Sequence, residues 1–149
     1  MPRSRTNPQY NFDVIAEALR PWQVSYARIE ELGGLRGRSR TIPPAVNAFW
    51  ENQSFHNYAD YALSEEFGRG LLELMSIGGE RRTAIMCAEA VWWRCHRRIV
   101  ADYLLLHHRE VFHLMGQGRA DAARLTPAAR ERDGQLVYPA PADAPRSQA

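Results

Sequence analysis

Thr83-Ala84-Ile85-Met86-Cys87-Ala88-Glu89-Ala90-Val91-Trp92-Trp93-Arg94-Cys95-His96-Arg97-Arg98 is the stretch on which the reading of this chain turns. It holds both cysteines of the 149-residue sequence, beside one carboxylate, one histidine and three arginines. The apolar run Thr83–Cys87 predicts a strand. Apolar positions at Ile99, Tyr103 and Leu106 predict a helix over roughly 92–107. Strand, tight polar turn, and a helix that opens with reactive side chains: in parallel α/β proteins ligands sit at such a crossing, between a strand's carboxyl end and a helix N-terminus.

Outward from that stretch the chain alternates. Asn11 is placed to cap a helix carrying Phe12, Ile15 and Leu19, which Pro21 ends. Val24–Ile29 predicts a strand, with Val24 and Tyr26 on one face and Ala27 and Ile29 on the other. Residues 30–52 predict a long loop, opened by Gly33-Gly34 and continued through Arg36, Arg38, Arg40, Pro43 and Pro44. Loops of that length are usually functional or partly disordered. Ser54 is a candidate cap for a helix with Phe55, Tyr58, Ala59 and Ala62. Ser64 starts another, with Glu65 and Glu66 in its first turn, a stripe of Phe67, Leu71, Leu74 and Met75, and Gly78-Gly79 as its stop. Glu110–Met115 predicts a third strand and Leu125–Arg130 a short helix, and residues 139–149 are expected to be a disordered tail. Strands alternating with helices predict an α/β fold: a small three-layer parallel sheet with helices on both faces, in a single domain over residues 1–138. Three strands are few for a sheet covered on both faces.

Bulk properties narrow the class. The chain is 45% hydrophobic and 24% charged with a formal net charge of +2, as in an ordinary globular protein and unlike a polycation. No apolar run is long enough to span a membrane, and no apolar segment follows Met1-Pro2-Arg3-Ser4-Arg5. The expected location is the cytoplasm, with free thiols and no membrane partner. All 19 basic residues are arginine. Coding bias is the simpler explanation; the alternative is bidentate recognition of phosphate or carboxylate, and composition does not separate them.

The chemistry concentrates on Cys87, Glu89 and His96. A thiol at a strand end facing a helix N-terminus has a lowered pKa and becomes a nucleophile, whereas a thiol in the core is a small hydrophobe. Glu89 in the turn suits a general base, or an acceptor for the amides of the following helix. His96 and Arg97 suit anion contact, and Cys95 falls within the predicted helix. The spacing to Arg94 is one residue too long for a Cys-x5-Arg phosphate loop, and the turn lacks glycine. Zinc is disfavoured: adjacent helical residues point about 100° apart, so Cys95 and His96 do not easily share an ion, and no CxxC or HxxxH is present. The expectation is no metal and no cofactor. Arg98 has a candidate partner in Asp102, four residues on. Trp22, Trp50, Trp92 and Trp93 stack bases in one reading and fill the core in the other.

The chain resembles the bacterial domain-of-unknown-function family numbered 488. Met86-Cys87-Ala88-Glu89, then Cys95-His96-Arg97-Arg98 and Ala101-Asp102, carry the resemblance. Pro2-x-Ser4, Leu32-Gly33-Gly34, Phe55-x-x-Tyr58-Ala59-x-Tyr61 and Leu125-Thr126-Pro127 support it in the same order. The resemblance implies ligand-binding roles for Ser4, Arg5, Tyr58, Cys95 and Arg97 beside the catalytic candidates. It also implies an N-terminal truncation, because the family begins with a further strand and helix and a strand ending in Asp-Val-Arg. The family often has proline where Trp92 stands. A truncated sheet would expose an edge, so a homodimer, or a chain of only marginal stability, is expected. Two functions remain open: a cysteine-centred pocket enzyme acting on a phosphorylated or nucleotide-like ligand, and a non-catalytic nucleic-acid or anion-binding module. Convergence of Cys87, Glu89 and His96 in one concave pocket favours the first; an open arginine stripe away from Cys87 favours the second.

Overall fold

Helices begin where the sequence offers an acceptor for the free N–H groups of a first turn. The computed structural model describes residues 5–142. α1 (Phe12–Leu19) runs into a 3-10 turn at Arg20–Trp22 that contains Pro21. α2 (Gln53–Tyr61) is capped by Asn52, whose side chain accepts from Ser54 N and Phe55 N at 2.9 and 3.3 Å; Ser54, the expected cap, lies inside the first turn. Ser64 does cap α3 (Glu65–Glu80), its Oγ accepting from Phe67 N at 3.2 Å. α3 continues through Gly78 and Gly79, where a stop was expected. α4 (Arg97–Leu106) is shorter than the predicted helix, because a separate 3-10 turn at Trp92–Arg94 precedes it.

The parallel three-layer sheet is not there. The described strands form two antiparallel pairs: β1 (Phe112–Leu114) with β2 (Ala120–Ala122), and β3 (Arg130–Arg132) with β4 (Gln135–Val137). Only the predicted strand Glu110–Met115 holds one, in a local hairpin. Val24–Ile29 and Thr83–Cys87 carry no regular element, and Ile85 and Met86 are exposed. A strand requires a neighbouring strand for its backbone N–H and C=O groups, and among the described residues neither segment has one. Leu125–Arg130 is a turn leading into β3 and not a helix. β3 and β4 join through Asp133-Gly134, both at positive φ (52° and 79°), the two-residue hairpin connection that Asp-Gly favours.

The core is helical instead. Tyr58 from α2, Phe67 and Leu71 from α3, Ile99 and Tyr103 from α4, and Leu136 from β4 pack together. Tyr138 closes it, wholly buried just after β4. Its OH donates to Asp102 Oδ2 at 2.9 Å, its N–H to Asn47 Oδ1 at 3.0 Å, and its carbonyl accepts from Phe49 N at 3.0 Å. Asn47 in turn donates to Asp60 at 2.7 Å, and Asp102 also accepts from Thr126 N at 2.9 Å. Asp102 is thus taken by the chain's end. The expected partner, Arg98, lies over the Trp50 ring with its guanidinium carbon 4.9 Å from the centroid.

The long loop of residues 30–52 is tied down. It folds into 3-10 turns at Glu30–Leu32 and Pro44–Asn47. Tyr58 OH and Tyr61 OH donate to the carbonyls of Leu32 and Glu31, at 2.7 and 2.5 Å. The predicted tail at residues 139–149 falls mostly outside the described residues. No described helix is long and apolar enough to cross a membrane.

Candidate functional site

Between α3 and α4 the chain has no regular element until the 3-10 turn Trp92–Arg94. That turn ends at Cys95, which is extended (φ −131°, ψ 151°), and His96 then enters the helical region as the N-cap of α4 (φ −56°, ψ −16°). The change of backbone direction between the two residues brings their side chains together. Cys95 Sγ lies 3.5 Å from His96 Nδ1. The 100° divergence expected for adjacent residues does not apply, because Cys95 is outside the helix. Cys87 joins them from the preceding loop: one ligand atom from each of Cys87, Cys95 and His96 lies within 4.8 Å of the others.

Backbone and guanidinium donors surround the sulfurs. Glu89 N–H donates to Cys87 Sγ at 3.5 Å. Arg97 donates to Cys95 Sγ twice, from its backbone N and from Nε, both at 3.4 Å. Arg97 Nη2 also donates to the Glu89 carbonyl at 2.7 Å, so one side chain ties the Cys87 turn to the start of α4. The thiols share a proton unequally. The Cys95 thiol donating to Cys87, followed by His96 and the Glu89 amide, holds the Cys87 thiol well below its ordinary range. Serving as that donor, and its burial, push Cys95 up. Cys95 is buried and Cys87 half-buried, so the thiol whose pKa is lowered is also the accessible one.

His96 is held from behind. Its ring packs on Tyr58 with centroids 5.0 Å apart. On another side lies Gly34, so close that an added Cβ would stand 2.4 Å from Nδ1. In the sequence Gly33-Gly34 marks a loop opening, and nothing in the local pattern ties Gly34 to His96. Tyr58 is buried and hydrogen-bonded to Leu32, with burial raising its pKa above the ordinary tyrosine value. It acts here as a support for the imidazole.

The remaining candidates fall elsewhere. Glu89 enters the cluster through its backbone N–H and C=O. Its residue is exposed and its carboxylate makes no contact with the thiols among the described residues. Ser4 lies outside the described residues. Arg5 is exposed and makes no hydrogen bond to the cluster among them. Arg36 does not form part of an open stripe: it donates to the carbonyls of Gly33 and Glu30 at 3.0 and 2.8 Å and stacks on Tyr61. Arg38 donates to Gln53 at 3.0 Å. Trp50 is buried in the core and Trp92 stacks on His113 at 3.8 Å, whereas Trp22 and Trp93 are exposed. A shallow depression between Arg36, Thr41, Asp60, Tyr61 and Glu66 includes none of the thiol residues.

The family model described as "Domain of unknown function DUF488" matches residues 1–104, which include the whole thiol cluster. No curated protein and no solved structure matches the chain.

Proposed function

We propose that this chain, which belongs to the DUF488 family, works through a cysteine-centred site with Cys87 as nucleophile and a phosphorylated or nucleotide-like small molecule as substrate. The observation that carries the reading is the convergence of Cys87, Cys95 and His96 within 4.8 Å. A nucleophilic thiol needs a base within reach and donors that hold the sulfur in place. His96 supplies the first, and the Glu89 amide and Cys95 thiol supply the second.

In the chemical step, the Cys87 thiolate, whose proton His96 holds, attacks an electrophilic carbon or phosphorus through its sulfur lone pair. A new bond to sulfur forms. The leaving oxygen departs with the bonding pair and takes the proton from His96. Water then releases the product and restores the thiol. Arg97 is a positioning residue, since its Nε and Nη2 donate to Cys95 and Glu89. Arg94, exposed one residue before Cys95, is the cation left for an anionic substrate.

The test is competitive alkylation of the reduced chain by iodoacetamide in excess chelator at neutral pH, read by mass spectrometry. Cys87 is expected to react at least ~10-fold faster than Cys95, and His96→Gln to slow it. A nucleoside monophosphate, but not the free nucleoside, is expected to protect Cys87. Equal rates at the two thiols would remove the nucleophile. Absence of protection across nucleoside mono-, di- and triphosphates would remove the substrate class.

A further inference from the structure

We propose that Cys87, Cys95 and His96 form a three-donor site for a thiophilic divalent cation, with Zn2+ the ion whose chemistry they fit. This goes beyond the nucleophile reading and does not rest on it. In a tetrahedral zinc site, Zn–S bonds of about 2.3 Å and Zn–N bonds of about 2.0–2.1 Å set neighbouring donors roughly 3.6–3.8 Å apart. Cys95 Sγ and His96 Nδ1 stand 3.5 Å apart, close to one edge of that tetrahedron. The three donor atoms lie within 4.8 Å of one another, so completing the face asks each pair to close by no more than roughly 1 Å.

The donor chemistry agrees with the geometry. Two thiolates and a neutral imidazole balance a divalent charge, and binding releases the thiol proton that Cys95 holds. Soft sulfur donors disfavour Mg2+ and Ca2+, which take oxygen. Metal thiolates are commonly supported by N–H donors from an outer shell. Here Arg97 N and Nε point at Cys95 Sγ and Glu89 N at Cys87 Sγ. The imidazole is already oriented, by the Tyr58 ring and the close backbone of Gly34. Three protein donors leave a fourth position for water or a substrate atom, the arrangement of catalytic zinc sites, and the half-buried Cys87 leaves it accessible.

The experiment is titration of the reduced full chain with Co2+ under anaerobic conditions. One equivalent is expected to produce a near-ultraviolet thiolate-to-cobalt band and the visible bands of a tetrahedral ion. One equivalent of Zn2+ should abolish both. Cys87→Ser, Cys95→Ser and His96→Gln are each expected to weaken binding by roughly 100-fold or more, beyond the 10–100-fold cost of losing an outer-shell partner. A second measurement needs no variant: one equivalent of Zn2+ should shield both thiols of the native chain from an aromatic disulfide reagent, and a chelator should restore both. Absence of a charge-transfer band, or cobalt uptake unchanged in Cys87→Ser and Cys95→Ser, would overturn the site. So would thiols that stay reactive in the presence of Zn2+. Selective alkylation of Cys87 in chelator with no metal binding would leave the nucleophile standing and remove only the ion. Tight binding with equal alkylation rates would do the reverse.

Discussion

Gly34 is the residue whose replacement tests the site without touching either thiol. An alanine there would place Cβ 2.4 Å from His96 Nδ1 and 2.7 Å from Cε1. A ring cannot bend away as a flexible side-chain end does, so either the imidazole leaves its place against Tyr58 or the loop backs off. Gly34→Ala is expected to cost about 1–3 kcal/mol in urea unfolding, the usual cost of forced overpacking. It should also slow Cys87 alkylation, because the base moves. Unfolding and alkylation both unchanged would show that the loop and His96 are not in contact in solution. At this scale the sequence marked Cys87, Cys95, His96 and Arg97 through their chemical types. It was silent on Gly34 and Tyr58 as supports, because contacts between residues so far apart in the chain leave no local pattern.

α3 shows how one helix carries both local and tertiary constraints. Gly68 and Gly70 are two residues apart within it. An added Cβ at Gly68 meets nothing within 4 Å, whereas at Gly70 it would stand 2.7 Å from Glu31 Cβ and 3.2 Å from Leu32 Cγ. Helix propensity favours alanine by about 0.8–1 kcal/mol at either position. Gly68→Ala is therefore expected to raise the thermal midpoint. Gly70→Ala should lower it, because the 3-10 turn Glu30–Leu32 packs where the methyl would go. A stabilising Gly70→Ala would mean that this turn does not rest on α3. The Ser64 cap and apolar stripe of α3 were readable from neighbours in sequence. The need for glycine at position 70 was not, since it depends on a turn more than thirty residues earlier.

Across the whole molecule, the buried carboxylate of Asp102 links α4 to the last described segment. Burial raises its pKa above the ordinary value of 3.8, against the lowering effect of its Thr126 and Tyr138 donors. A raised folded pKa means that the native state holds the proton more tightly than the unfolded chain. Its contribution to stability is complete below pH of about 4 and is lost as pH rises through the folded value. Asp102→Asn should remove that part of the pH dependence, making the melting midpoint flatter than the native chain's as pH rises above about 4. At neutral pH the variant should also be less stable by about 1–3 kcal/mol, because an amide offers one acceptor oxygen where Thr126 N and Tyr138 OH now use two. Parallel pH profiles for the two proteins would show that Asp102 titrates in the fold as it does in the unfolded chain.

What the sequence determined by itself is what depends on near neighbours. The Ser64 cap, the apolar stripe of α3 and the concentration of chemistry in residues 83–98 all rest on spacing within a few turns. The family model matches residues 1–104 from the sequence alone. Only the tertiary structure decided the rest. Apolar character at Val24–Ile29 and Thr83–Cys87 predicted a parallel sheet, yet a strand exists only with a partner alongside, and their own residues do not encode one. The core went instead to α2, α3, α4 and the end of β4, closed by Tyr138. The cluster was likewise decided by backbone direction: Cys95 is extended and His96 begins the helix, so adjacent side chains that a continuous helix would splay apart meet over Cys87.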